Sequence, residues 1–287
     1  MSAWDSDGRR FTAERDGQTL AGETIGEGPA VILLHGVTAS RRYVVHGSKL
    51  IPRKGLRAVA FDARGHGDSS PAPDGAGYTY DEMVSDLDAV IDAQAGEGAV
   101  VLAGQSMGAH TVAAYALRRP ERLAGVVVIG PAYPGLPTSE EVLASWDELA
   151  DGLERGGVDG FLAAYEAHGL DPEWRDTLIR ITRERLRTHR HPEAVAEAIR
   201  EVPRDVPFDG LEELEFLDLP ALVVASHDEA DPGHPHAVAE AYAARLPNAR
   251  LISEDEGQSP LAWQGGRLSR EIVRFCEQAE VAERLRA

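Results

Sequence analysis

The five residues Gly104-Gln105-Ser106-Met107-Gly108 are the part of this chain whose types and spacing best suit chemistry. The apolar run Ala99-Val100-Val101-Leu102-Ala103 precedes them. Residues 107–118 follow, with Met107, Val112, Tyr115 and Leu117 at helical spacing. A strand that passes through a sharp turn into a helix stands the Ser106 hydroxyl above a sheet. It also presents the backbone N–H of Met107 to an oxyanion formed beside that hydroxyl. The reaction this suits is nucleophilic attack by Ser106, a weak nucleophile until a neighbouring base takes its proton.

Two upstream segments complete the arrangement. His35-Gly36 closes the apolar run 30–34, which makes the N–H of Val37 the natural second oxyanion donor, with His35 expected to order that loop by hydrogen bonding. Asp62-Ala63-Arg64-Gly65-His66-Gly67-Asp68-Ser69 follows the run 56–61 and reads as a tight structural loop beside the nucleophile.

The elements that must position these residues follow from the apolar pattern. The first 25 residues alternate as a hairpin turning at Asp16-Gly17. Short, nearly unbroken apolar runs at 30–34, 56–61, 99–103 and 123–129 imply strands buried on both faces, hence a parallel sheet. Met83, Leu87, Val90 and Ile91 mark a helix over 79–94. From about 131 to 217 only helix signals occur: a capping box at Thr138-Ser139-Glu140-Glu141, an N-cap and first-turn proline at Asp171-Pro172, and a helix opening at His191-Pro192. The sheet resumes at 221–225, followed by a helix near 235–246, a strand near 249–253 and a last helix from about 266. The expectation is an α/β fold, a mostly parallel sheet flanked by helices, with core segments 1–132 and 217–287 and a helical cap at 133–216.

Composition narrows the partners. With 29 basic and 48 acidic residues the net charge is −19, which argues against nucleic acid. The lone Cys276 offers neither an internal disulfide nor a zinc cluster, and His189-x-His191 and His234-x-His236 lack the acids or cysteines of a closed metal site. No run reaches the roughly 18 apolar residues of a membrane span, and the opening residues lack the apolar stretch of a signal peptide. A cytoplasmic protein with a small-molecule substrate and no cofactor is expected; the oligomeric state does not follow from the sequence.

Together, His35-Gly36, the Asp62–Ser69 loop and the Ser106 turn resemble the α/β-hydrolase fold, in its broad esterase- and lipase-like superfamily. The likeness covers about 20–132 and 217–280, the insert corresponding to the variable cap, and it is far more specific for fold than for substrate. It implies an orienting acid after the run 221–225. Within Ala225-Ser226-His227-Asp228-Glu229-Ala230-Asp231-Pro232 the register selects Asp228 over Asp231. Relatives that open epoxides or displace halide resemble enzymes with an aspartate at the turn, and here the residue is serine.

At the histidine the chain departs from that pattern. Past the last strand stand Glu256-Gly257-Gln258-Ser259, so Gln258 occupies the base position, and an amide accepts no proton at useful pH. The last histidine of the chain is His236. One explanation is a relocated base, with His234 best placed by sequence, then His110 and His35. A second is a pocket kept for ligand binding or another non-hydrolytic task. A third is catalysis without a base, Gln258 positioning water or a substrate carbonyl.

In the cap, Trp146, Phe161, Tyr165 and Trp174 read as its own core, some lining an apolar pocket. Trp263 is the aromatic expected to approach the site from the core side. Arg175, Arg180, Arg183, Arg185, Arg187 and Arg190 read as a solvated helix face or as partners of the acidic helix 139–154, ahead of a substrate-steering role. The leading expectation is hydrolysis of a small ester, lactone or thioester by Ser106, Asp228 and a base such as His234, with His35, Gly36, Gln258 and Trp263 around the substrate. The competing one is a binding protein that retains the pocket.

Overall fold

The structure is a computed structural model describing residues 4, 8–227, 233–254, 263 and 265–286. Eight strands form one sheet: β1 (Arg9–Arg15), β2 (Gln18–Ile25), β3 (Ala30–Leu34), β4 (Arg57–Phe61), β5 (Val100–Gln105), β6 (Leu123–Ile129), β7 (Ala221–Val224) and β8 (Ala249–Ile252). Their order is β1-β2-β4-β3-β5-β6-β7-β8. The hairpin β1–β2 and the β2–β4 pair are antiparallel, and every pair from β4 to β8 is parallel. Asp16 and Gly17, at φ of 47° and 83°, make the hairpin turn, whose two central residues both need positive φ to match the twist of the strands.

The helices are α1 (Leu50–Arg53), α2 (Tyr80–Ala95), α3 (Met107–Arg118), α4 (Glu140–Ala167), α5 (Arg175–Leu186), α6 (Pro192–Glu201), α7 (His236–Arg245), α8 (Gly266–Cys276) and α9 (Ala279–Arg284). Strand alternation divides the core between the two faces of the sheet. Ala30, Ile32 and Leu34 of β3 pack with Leu87, Val90, Val112 and Tyr115 on the α2–α3 side. Val31 and Leu33 pack with Leu268, Ile272 and Phe275 on the α8 side. Each such side chain contributes about 1.5–3 kcal/mol on full burial, so covering both faces is what fixes these strands in the centre.

Between β6 and β7 the chain forms helices α4, α5 and α6 and no strand. Leu149, Leu153, Phe161, Leu186, Val195 and Ile199 of this insert cluster with Val37, Met107, Tyr78 and Tyr80 of the core. Two helix starts differ from the sequence expectation. Ser139, not Thr138, caps α4, its side chain accepting from Val142 N–H at 3.4 Å. Asp171 does not cap α5; its carboxylate accepts from Glu173 N–H at 2.7 Å in a preceding turn, and the helix begins at Arg175. Among the described residues, no helix is long and apolar enough to cross a membrane.

Two buried arginines hold the loop after β4 against the sheet. Arg41 donates to Glu23 at 2.9 Å and Asp68 at 2.8 Å, and also pairs with Asp62. Arg64, 1% exposed, grips both oxygens of Asp86 at 2.8 and 2.9 Å, Glu82 at 2.8 Å and the Gly77 carbonyl at 2.7 Å. Truncating one partner of such a pair leaves a buried charge uncompensated. The variant Arg64→Ala is therefore expected to lose about 3–5 kcal/mol of stability, read as a lower urea midpoint at unchanged slope.

Candidate active site

Ser106 sits between β5 and α3 at φ 55° and ψ −117°, a region that non-glycine residues rarely occupy. Its surroundings leave it no alternative. A Cβ on Gly104 would stand 2.1 Å from the Gly108 carbonyl oxygen, and one on Gly108 would stand 2.5 Å from that of Leu34. The Ser106 N–H donates to Ile129 at 3.0 Å, and its carbonyl accepts from His110 N–H at 3.0 Å, which locks the turn at both ends.

The segment after β3 lies directly against this serine. A Cβ on Gly36 would be 3.2 Å from Ser106 Cβ and 3.8 Å from its Oγ. Residues 36–39 form a turn closed by Ala39 N–H donating to the Gly36 carbonyl at 2.9 Å. Among the described residues, the N–H groups of Val37 and Met107 donate to no acceptor, which leaves both available to an oxyanion.

The histidines divide by what holds their nitrogens. His35 Nε2 accepts from Ala63 N–H at 3.0 Å, which leaves the proton on Nδ1, where it donates to the Gly36 carbonyl at 2.8 Å. Burial pushes its pKa well below the ordinary value, so His35 serves the turn as a neutral ring and does not line the cavity. His110 Nε2 accepts from the N–H groups of Ala132 and Tyr133 at 2.9 and 3.0 Å, so Nδ1 donates to the Tyr80 hydroxyl at 2.8 Å. Both lone-pair positions of His35 and His110 are thus committed to backbone N–H groups. His234 stands elsewhere: it lines the cavity that also exposes Ser106, and a Cβ on Gly130, at the end of β6, would touch its ring at 3.6 Å.

That cavity, of about 520 Å³, has Gly36, Val37, Ser106 and His234 on the sheet side, and Trp146, Leu149, Phe161 and Tyr165 on the insert side. Thr182, Arg185 and Asp171 bring polar groups to it. Arg185 is the side chain that the pattern of residues 175–190 did not single out. Arg175, Arg180, Arg183 and Arg190 pair with Glu166, Glu184, Asp159 and Asp68, as a solvated face would.

Trp263 is not at the cavity; its indole N–H is shared between the Ala225 carbonyl and Glu254, both at 2.7 Å, which draws the ring beneath the ends of β7 and β8. Glu254 went unremarked in the sequence. Its buried carboxylate accepts from Ser226 Oγ, His227 N–H and Trp263, so it joins the segment that leads to residue 228 to the one that leads to residue 255. An acid two residues past the run Leu251-Ile252 is the available signal. Asp228 and Gln258 lie outside the described residues. Among the described residues no group of histidine, cysteine, aspartate or glutamate side chains could hold a metal ion.

A family model described as the alpha/beta hydrolase fold matches residues 29–205. A Bacillus subtilis protein named as a 2-succinyl-6-hydroxy-2,4-cyclohexadiene-1-carboxylate synthase is 30% identical over 164 residues, 56% of each chain. Epoxide hydrolase 2 of Siraitia grosvenorii is 34% identical over 116 residues, 40% of this chain and 36% of that one. The chain thus spans between about a third and just over half of the length of these curated relatives. The solved enol-lactonase from Burkholderia xenovorans superposes with a TM-score of 0.72 over 93% of this chain and 100% of its own, at 22% identity, a likeness of fold.

Burial, with His234 adding to it, pushes His110 down to about 3 from the ordinary 6.5. The unfolded chain therefore takes up this proton as pH falls through 6.5, and the folded chain does not until about 3. The contribution is complete above 6.5 and declines below it by about 1.4 kcal/mol per pH unit. In His110→Gln, the loss of urea-measured stability between about pH 7 and pH 5 is expected to shrink by ~2 kcal/mol.

Proposed function

Because the chain belongs to the α/β-hydrolase fold family, we propose that it is a hydrolase of a small ester, lactone or thioester with Ser106 as its nucleophile. The observation that carries this is the strained Ser106 facing a cavity it shares with His234, beside the uncommitted N–H of Val37. In the proposed reaction Ser106 Oγ attacks the substrate carbonyl while His234 takes its proton. The oxyanion accepts hydrogen bonds from Val37 and Met107, and collapse expels the alcohol or thiol, which leaves with the proton from His234. Water, deprotonated by the same ring, then releases the acid. Asp228, six residues before His234, is the proposed orienting acid. A serine at this turn favours acyl chemistry over the epoxide opening for which one relative is named.

The cavity wall of Trp146, Leu149 and Phe161 suits an apolar portion of the substrate, and Arg185 suits a carboxylate on it. We read the protein as a cytoplasmic cap-domain enzyme that acts on a small molecule without a cofactor. A second reading, a pocket kept for binding or non-hydrolytic catalysis, draws on the glutamine at 258 and on the relative named as a synthase.

Intact-mass analysis with a fluorophosphonate decides between them. Stoichiometric labelling is expected on wild type and none on Ser106→Ala, with His234→Ala slowing it by at least about 10³-fold. A folded wild type that takes no label would overturn the hydrolase reading and favour the second. For Arg185, kcat/KM toward p-nitrophenyl hemisuccinate is expected to drop about 10-fold or more in Arg185→Gln, with p-nitrophenyl butyrate little changed, since a charged hydrogen bond contributes about 1.5–3 kcal/mol.

A further inference from the structure

Three successive carbonyls of the turn beside Ser106 are each held by a different histidine. His35 Nδ1 meets the Gly36 oxygen at 2.8 Å, His66 lies between the Val37 oxygen, 2.7 Å from Nε2, and the Arg64 oxygen, 2.8 Å from Nδ1, and His189 Nε2 meets the Thr38 oxygen at 3.3 Å. In a trans peptide the C=O of one residue and the N–H of the next point in opposite directions. Holding the Gly36 and Val37 oxygens on histidines behind the turn therefore aims the N–H groups of Val37 and Thr38 forward. Holding the Thr38 oxygen sets the Ala39 N–H in place to close the turn on Gly36, at 2.9 Å.

The first two histidines come from the core and the third does not. His189 lies between α5 and α6 of the helical insert, about 150 residues away along the chain from Thr38. Its tautomer is fixed by the structure: Nδ1 accepts from Gly67 N–H at 2.9 Å, so Nε2 carries the proton and donates to Thr38. The neighbouring residues anchor the same segment. Thr188 Oγ1 donates to the Arg185 carbonyl at 2.7 Å and accepts from Ser40 Oγ at 3.1 Å, Arg190 N–H donates to the Gly67 carbonyl at 3.0 Å, and the Arg190 guanidinium pairs with Asp68 at 2.8 Å. The rings of His189 and His66 meet edge to face with centroids 5.5 Å apart, and those of His66 and His35 lie 5.1 Å apart. The insert thus reaches the carbonyl side of the turn through His189, which contacts both the backbone at Thr38 and the Gly67 loop.

We propose that His189 is a positioning residue through which the helical insert sets the oxyanion turn, so that the reactivity of Ser106 depends on this one imidazole rather than on how tightly the insert docks. This rests on Ser106 being the nucleophile proposed above.

The test compares His189→Leu, His189→Gln and Arg190→Ala with wild type. Arg190→Ala loosens the same contact between insert and core without touching the turn. Three quantities are read: the rate of fluorophosphonate labelling, kcat and KM for p-nitrophenyl butyrate, and hydrogen exchange of amides 37–39. His189→Leu is expected to slow labelling and kcat by about 10- to 100-fold, as a displaced catalytic group does, with KM within about twofold and faster exchange at Thr38 and Ala39. His189→Gln, which keeps a donor, should recover part of the rate, and Arg190→Ala should lower Tm while leaving the rate near wild type. Labelling of His189→Leu at the wild-type rate, or an equal loss in Arg190→Ala, overturns the proposal. If wild type takes no label at all, the hydrolase reading fails and the exchange data decide alone: unchanged exchange in His189→Leu overturns the positioning role, and faster exchange supports it.

Discussion

Ser106 is held at φ 55° and ψ −117°, a conformation that costs a non-glycine residue about 1–3 kcal/mol and survives only where the surroundings over-determine it. Here they do so through backbone approaching backbone. Gly108 lies against the Leu34 carbonyl of β3, Gly104 against Gly108, and the Ser106 N–H is bonded to the end of β6. Those contacts require β3, β5 and β6 to be adjacent and in register, which they are at the centre of the parallel sheet. Burial of both sheet faces holds the strands there. The strain at one serine is thus sustained by the apolar surface of the whole core, and loosening any of three strands would relax it.

The histidines show how one residue type divides between structure and chemistry. A neutral imidazole has one donor and one acceptor, and a ring whose lone pair already accepts a backbone N–H has nothing to offer a serine proton. His35 and His110 are both spent in this way, on Ala63 and on Ala132 with Tyr133. Burial reinforces the outcome, because it depresses their pKa values and keeps the rings neutral. His234, which reaches the Ser106 cavity from the segment before α7, differs in where it stands.

Charge is organised in a similar way. Most arginines of α5 and the segment after it pair with nearby acids at the surface, where exposed pairs contribute little, while Arg41 and Arg64 are buried and hold the loop behind the site. Arg185 lines the Ser106 cavity, with its guanidinium 5.9 Å from the centroid of the Tyr43 ring, which places a cationic group at the cavity wall of a chain of net charge −19.

The sequence by itself determined the sheet, the Ser106 turn and the loop at Gly36. Each is a local matter, since unbroken β-branched runs demand burial on two faces and a serine between close-approach glycines demands a strained turn. It placed β6 at 123–129 and α3 at 107–118 without error, and missed helix starts such as that of α5 by a few residues, because Asp171 could cap its own turn as well as a helix. It left open which histidine would share a cavity with Ser106, did not single out Arg185 from the other arginines of 175–190, and gave no sign of His189 behind Thr38 or Glu254 between the strand ends. Those depend on side chains converging from segments as far apart as Thr38 and His189, and only the packing of the insert on the core decides which ring, carboxylate or guanidinium arrives. Periodicity records what each element buries; it does not record where a loop carries one side chain across the molecule.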